Sequence, residues 1–140
     1  MSIVSLNLVV LRVPDLERAS AFYSVFGLSF AKHAHGKGPE HYAAELGGAV
    51  FELYPQLSEE GSTKHVRVGF QVGDAAAVIQ HLEEKGGKIV SPLKDSPWGL
   101  RAVVDDPFGH RIELSEAKKM KNPEPIKSIT DNSGAAPLRV

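Results

Sequence analysis

Apolar positions along the chain change their period in a fixed order, and that order is written twice. Residues Ile3 to Val13 are dense in Val, Ile and Leu, as in a buried strand, and Pro14 then ends ladder pairing because it carries no N–H. From Asp15 the period becomes helical. Leu16, Ala19, Phe22, Tyr23 and Phe26 recur at three- and four-residue spacing, between an N-cap aspartate and a glycine stop at Gly27. Asp74, Val78, Ile79, Leu82 and Gly86 repeat the plan, and the steps from Asp15 to Asp74 and from Gly27 to Gly86 are both 59 residues. Shorter apolar segments follow each helix, about 28–33, 41–46 and 49–54 in the first half and 88–90, 100–104 and 111–115 in the second. Gly48 ahead of Phe51-Glu52-Leu53 matches Gly109 ahead of Ile112-Glu113-Leu114 at an offset of 61. The pattern predicts an α+β domain over 1–116 built from two βαβββ modules, about 3–54 and 65–116. A polar linker at 55–64, mobile at its tip, joins them, and a Pro-containing tail at 117–140 is either frayed or packed along a partner.

Composition narrows the function. A chain of 140 residues buries a core without disulfides or structural metal. Its 16 basic and 17 acidic residues form no long run of either sign, so neither nucleic acid nor an anionic membrane is an expected partner, and a small molecule or a protein is. The chain has no cysteine, which excludes thiolate nucleophiles and thiolate metal sites and leaves His, Asp and Glu as possible ligands. The apolar start lacks a basic leader and a small-residue cleavage signal, so a cytoplasmic protein is expected.

The segments NLVVLRVPDLERASAFYSVFGLSF, AVFELY and DDPFGHRIELSE resemble the vicinal oxygen chelate superfamily, which includes glyoxalase I, extradiol dioxygenases, fosfomycin-resistance enzymes and bleomycin-resistance proteins. The likeness spans about residues 3–116. It implies two βαβββ modules forming a curved mixed sheet around a cavity, usually completed by dimerisation, with modules paired within one chain or swapped between two. It fixes neither reaction nor substrate.

In metal-using members of that superfamily, four ligands come from the first and last strand of each module. The resemblance puts those positions at Leu8, Glu52, Arg67 and Glu113, and the repeat offsets of 59 and 61 pair Leu8 with Arg67 and Glu52 with Glu113. Two carboxylates match the family pattern, whereas leucine and arginine replace residues that are usually His or Gln. Leucine has no lone pair, and arginine is a permanent cation without an acceptor, so the four-ligand set is broken. The expectation is that Arg67 takes the metal's place and bridges Glu52 and Glu113 through charge-assisted hydrogen bonds. An alternative keeps a metal by displacement: His65, two residues before Arg67 on the same strand and so on the same face, joins Glu52 and Glu113 around Zn, Mn, Fe or Ni. Against it, one strand step of two residues is about 6–7 Å, far beyond a metal–ligand bond of about 2 Å.

Alternation adds Arg12 and Tyr54 to the faces of Leu8 and Glu52, and Arg111 and Ser115 to that of Glu113. Arg12 either clamps a ligand anion or pairs with Asp15 or Glu17. Trp98, in the loop before Arg101, either stacks on a ligand at the cavity mouth or anchors packing. His33, His35 and His41 flank a glycine loop and read as a solvated cluster, His110 as part of a structural turn, and the Phe22, Tyr23, Phe26 stripe as core. Three functions follow: a metal-free small-molecule binder without a cofactor; a metal-dependent lyase, isomerase or dioxygenase with Glu52 or Glu113 as base; or a metal-free enzyme in which Arg67 stabilises an oxyanion. The first is the favoured reading.

Overall fold

The computed structural model describes residues 2–118; the remainder of the expected tail lies outside the described residues. Its elements are β1 (Leu8–Val13), α1 (Leu16–Ser24), β2 (Ala31–His33), β3 (His41–Leu46) and β4 (Ala49–Pro55), then β5 (Arg67–Gln71), α2 (Ala75–Glu84), β6 (Lys88–Ser96), β7 (Gly99–Asp105) and β8 (Arg111–Glu116). A 3-10 turn at Glu59–Gly61 lies between the two sets. The first four strands form one sheet in the order β1-β4-β3-β2 and the last four a second in the order β5-β8-β7-β6. In each, the strand before the helix runs parallel to the last strand and the other neighbours are antiparallel. The architecture is therefore the α+β duplication expected from the sequence.

Both helices start and stop on the signals read from the chain. The Asp15 carboxylate accepts the Arg18 N–H and that of Asp74 accepts the Ala77 N–H, each satisfying an amide that the first helical turn leaves without a partner. Gly27 at φ 93° and Gly86 at φ 96° then take the left-handed conformation that turns the chain back toward its sheet.

Two strand boundaries differ from expectation. The first strand begins at Leu8 rather than Ile3, because β4 offers partners only as far as Val50, opposite Leu8. Ile3 and Val4 therefore stay outside the sheet, 93% and 95% exposed. In the second half β6 extends to Ser96, through Pro92, by register shifts between Ile89 and Ser91 and between Ser91 and Lys94. An edge strand tolerates both, since one side of its ladder needs no partner.

The two halves share one core. Leu11, Val13, Phe22, Tyr23 and Leu53 from the first half and Leu82, Val104, Ile112 and Leu114 from the second are fully buried in one cluster. Phe70 joins the halves: its ring stacks on Phe26 at 4.5 Å and meets Phe51 edge-on at 5.6 Å. The aromatic stripe of α1 thus packs as expected.

A polar network crosses the same boundary. Tyr23 donates its hydroxyl to Asp106 Oδ2 at 2.5 Å, and His110 Nδ1 lies 2.8 Å from the same oxygen. Asp106 Oδ1 accepts the N–H groups of Phe108 and His110 at 2.8 and 2.9 Å. Burial alone would raise the Asp106 pKa, but the hydrogen bonds from His110 and Tyr23 outweigh it and hold the carboxyl below its ordinary value. Burial and the Asp106 charge push the Tyr23 phenol well up. Thr63 Oγ1 sits 2.6 Å from His110 Nε2 and accepts the Arg12 N–H at 2.9 Å, so the segment between the halves is pinned at its far end.

Candidate functional site

Glu113 on β8 is the focus of one wall. Its register partners are Gly69 on β5 and Val103 on β7, and with no side chain at Gly69 the carboxylate is open to long side chains from both neighbouring strands. Arg67 reaches it from β5, with Nε donating to Oε2 at 2.7 Å, and Arg101 reaches it from β7, with Nη2 donating to Oε1. Both carboxylate oxygens are thus engaged by guanidinium groups. The Arg101 hydrogen bond, the largest influence, together with that of Arg67 outweighs the opposing effect of burial and holds the Glu113 pKa below its ordinary value. Two cations against one anion leave this wall with an excess positive charge. A cavity of about 360 Å³ opens beside it, lined by Gly69, Gln71, Trp98, Arg101, Glu113 and Ser115 among others. Trp98 is 58% exposed in the turn after β6, so it rims this hollow rather than anchoring the core.

A second polar surface lies on the first sheet. Arg12 and Tyr54 are register partners on β1 and β4, and the Arg12 guanidinium stands 5.3 Å from the Tyr54 ring centroid. Neither acid expected to pair with Arg12 does so: Asp15 caps α1, while Glu17 binds Lys32 at 3.0 Å and accepts the Tyr42 hydroxyl. The Tyr54 ring stacks on His41 at 4.2 Å, and His41 Nε2 lies 3.9 Å from Glu52 Oε2. Leu8 stands half-exposed at the start of β1 and offers no polar atom.

Three expectations change here. Within one chain Arg67 bonds Glu113 but not Glu52, whose carboxylate lies instead 3.9 Å from His41 Nε2, so the predicted bridge forms on one side only. His65 does not share a strand with Arg67, because β5 begins at Arg67 and His65 occupies a turn at φ 75°, where alternation does not apply. It lines a separate hollow of about 420 Å³ with Lys64, Arg67, Asp105 and Arg111, and Arg111 is itself held by Asp105 at 3.0 Å. His41 is not solvated but 4% exposed, since Tyr54 covers one face of its ring. Sequence reading also missed that Arg101 would be a second guanidinium on Glu113. The signal was available in the antiparallel β7–β8 hairpin, whose register puts Arg101 opposite Ser115, two residues from Glu113 on the same face.

The four positions that carry a metal elsewhere in the superfamily do not fit one here. Leu8 supplies no donor, Arg67 supplies a cation, and both oxygens of Glu113 already accept guanidinium hydrogen bonds.

A family model described as the Glyoxalase/Bleomycin resistance protein/Dioxygenase superfamily matches residues 5–114, and the chain belongs to that superfamily. A lactoylglutathione lyase of Salmonella typhimurium is 31% identical over 124 residues, covering 78% of this chain and 90% of that protein. Among solved structures, TnmS3, an antibiotic binding protein from Streptomyces sp. CB03234, superposes with a TM-score of 0.66 at 24% identity, over 84% of this chain and 99% of that one. A glyoxalase-related enzyme from Fulvimarina pelagi superposes at 0.62 with 21% identity, over 81% and 88%. No helix among the described residues is long and apolar enough to cross a membrane.

Proposed function

We propose that this chain is a cytoplasmic, homodimeric small-molecule-binding member of the superfamily, in which Arg67 stands where other members hold their metal. The observation that carries the reading is the double guanidinium clamp on Glu113 beside an open hollow with an aromatic rim. A clamp with surplus positive charge suits a ligand with an anionic group, and Trp98 lines the same hollow as an aromatic rim for a planar part of that molecule. A second copy would supply the wall that one chain leaves apart, bringing a partner Glu52 face toward Arg67 and completing the bridge. Half-exposed Leu46 and Val66 and the more exposed Leu6 border an apolar groove of about 420 Å³ between β1 and β5, which such a copy would cover.

Calorimetric titration against a panel of planar carboxylates, sulfonates and phosphates tests the reading. Wild type is expected to bind a member of the panel, and Arg101→Ala and Arg67→Ala each to weaken it at least tenfold while keeping the fold. Equal affinity in all three proteins would overturn it. Light scattering on the same samples reads the dimer.

A second reading has its own support in the 31% identity to a lactoylglutathione lyase. In it, Arg67 and Arg101 stabilise a developing oxyanion and Glu52 moves the proton, since Glu113 is held as a carboxylate by two guanidinium groups and is a weak base. Loss of the thioester when lactoylglutathione is incubated with the protein, abolished in Glu52→Gln, would favour this reading over simple binding.

A further inference from the structure

Three imidazoles meet at the edge of the first sheet, away from Arg67 and Glu113. His33 ends β2, His41 begins β3, and the two are directly paired across the antiparallel ladder. His35 follows in the connecting loop, where the Gly38 N–H bonds back to the His35 carbonyl at 2.9 Å and Gly36 takes φ 57°. That tight turn folds His35 over the strand pair. The ring centroids then form an almost equilateral triangle, with sides of 5.7 Å for His33 and His35, 5.8 Å for His33 and His41, and 5.5 Å for His35 and His41.

The size of this triangle is chemically specific. With a metal–nitrogen bond of about 2.1 Å, each imidazole centroid sits about 3.2 Å from the ion, so three such rings stand about 5.2 Å apart at tetrahedral angles and about 5.6 Å apart at 120°. One observed side, 5.5 Å, falls within that range, and the other two, 5.7 and 5.8 Å, lie just beyond its open end. His41 is also prepared in a second respect. Its Nδ1 lies 3.2 Å from the Pro39 carbonyl, which fixes Nδ1–H as donor and leaves the Nε2 lone pair facing Glu52 Oε2 at 3.9 Å. A carbonyl behind the ligating imidazole is the usual means of fixing tautomer and ring direction at a metal.

In the present rotamers the rings lie at 12°, 29° and 40° to one another, and among the described residues no three donors converge on one point. Convergence requires rotation of the exposed His33 and His35 rings about Cβ–Cγ, a broad and soft torsion for histidine that leaves each centroid almost in place, while His41 keeps its Pro39 bond and its stack on Tyr54. The spacing is therefore kept while the nitrogens turn inward. We propose that His33, His35 and His41, with Glu52 as the fourth donor, bind one imidazole-preferring transition ion, Zn²⁺, Ni²⁺ or Cu²⁺. The site shares Glu52 with the Arg67 bridge that a second copy would complete, so an ion held here competes with that bridge, while the Arg67 and Arg101 clamp on Glu113 is left as it is.

The test uses untagged full chain incubated in turn with Zn²⁺, Ni²⁺ and Cu²⁺, desalted, and measured by elemental mass spectrometry alongside circular dichroism. Wild type is expected to retain close to one ion per chain for at least one metal. His33→Ala and His35→Ala, both at exposed positions, are expected to weaken retention at least tenfold with the fold intact, and His41→Ala to abolish it. Glu113→Gln is expected to retain metal as wild type does. No retained ion in wild type for any of the three metals, or unchanged retention in His33→Ala and His35→Ala, overturns the site. Metal lost in Glu113→Gln but kept in the histidine variants overturns it as well, and returns the ion to the position that the superfamily uses.

Discussion

Tyr23→Phe removes one oxygen atom from a fully buried network and so measures what joins the two halves. The phenol donates to Asp106 Oδ2 at 2.5 Å, and the carboxylate keeps its other partners, His110 Nδ1 and the N–H groups of Phe108 and His110, when that oxygen is gone. A hydrogen bond to a charged group contributes about 1.5–3 kcal/mol. The surviving partners place the expected loss near the middle, about 2 kcal/mol, which for a domain of this size lowers the melting temperature by roughly 6–10 °C. The pH dependence gives a sharper check. The folded Asp106 pKa lies below its unfolded value, so its contribution is present in full above about pH 4 and is lost as pH falls through the folded pKa. Without the phenol that depression shrinks. The gap between wild type and variant should therefore be widest near neutrality and narrow as pH falls below about 4. Urea titrations followed by circular dichroism at several pH values between about 7 and 3 read both quantities. A neutral-pH loss under about 0.5 kcal/mol, or a gap that stays constant down to the acid limit, would refute the role assigned to the bond.

Other expectations concern the site and the sheets. Arg101→Ala should raise the Glu113 pKa toward its ordinary value more than Arg67→Ala does, because Arg101 is the larger cause of the depression; carboxyl-carbon NMR titration reads the difference. Phe70→Ala should cost about 3–5 kcal/mol, measured by chemical denaturation, since the ring fills the junction between Phe26 and Phe51. Gly99→Ala should destabilise strongly, by more than about 1 kcal/mol, because the position has φ 122° and an added Cβ would strike the Glu116 carbonyl; the melting temperature of the variant checks it.

The fold was legible because each half states it independently. Two capped helices, two glycine stops and matched strand segments agree in one order, and a chance pattern would not repeat at offsets of 59 and 61. Strand ends were less legible, because hydrophobicity at Ile3 and Val4 says nothing about whether β4 reaches far enough to pair with them. In the site, the resemblance and the repeat offsets placed Glu113 and Arg67 among equivalent strand positions of the two modules, and the two do meet on one wall. Partner choice was not legible. Whether Arg67 turns to Glu113 or Glu52 depends on where two sheets lie relative to each other, a long-range property that local period does not encode. The His65 expectation failed for a local reason: a left-handed turn ended the alternation on which it rested. The closeness of the three histidine rings was not legible, because a turn hydrogen bond, invisible as a pattern, returns His35 to the strands.

The tie between Tyr23 and Asp106 has a consequence for the history of the chain. In the repeat, the counterpart of Tyr23 59 positions later is Leu82, a buried apolar side chain with no hydroxyl to give, and the turn that carries Asp106 matches a Gly47-Gly48 hairpin in the first half. The two copies have therefore specialised as giver and receiver. A second half on its own would keep Asp106 without its phenol, and a first half on its own would carry a phenol without its carboxylate. Separated halves should be poor folders individually and should recover structure when mixed. A molecule assembled from two equivalent parts has in this way become one whose parts are no longer interchangeable.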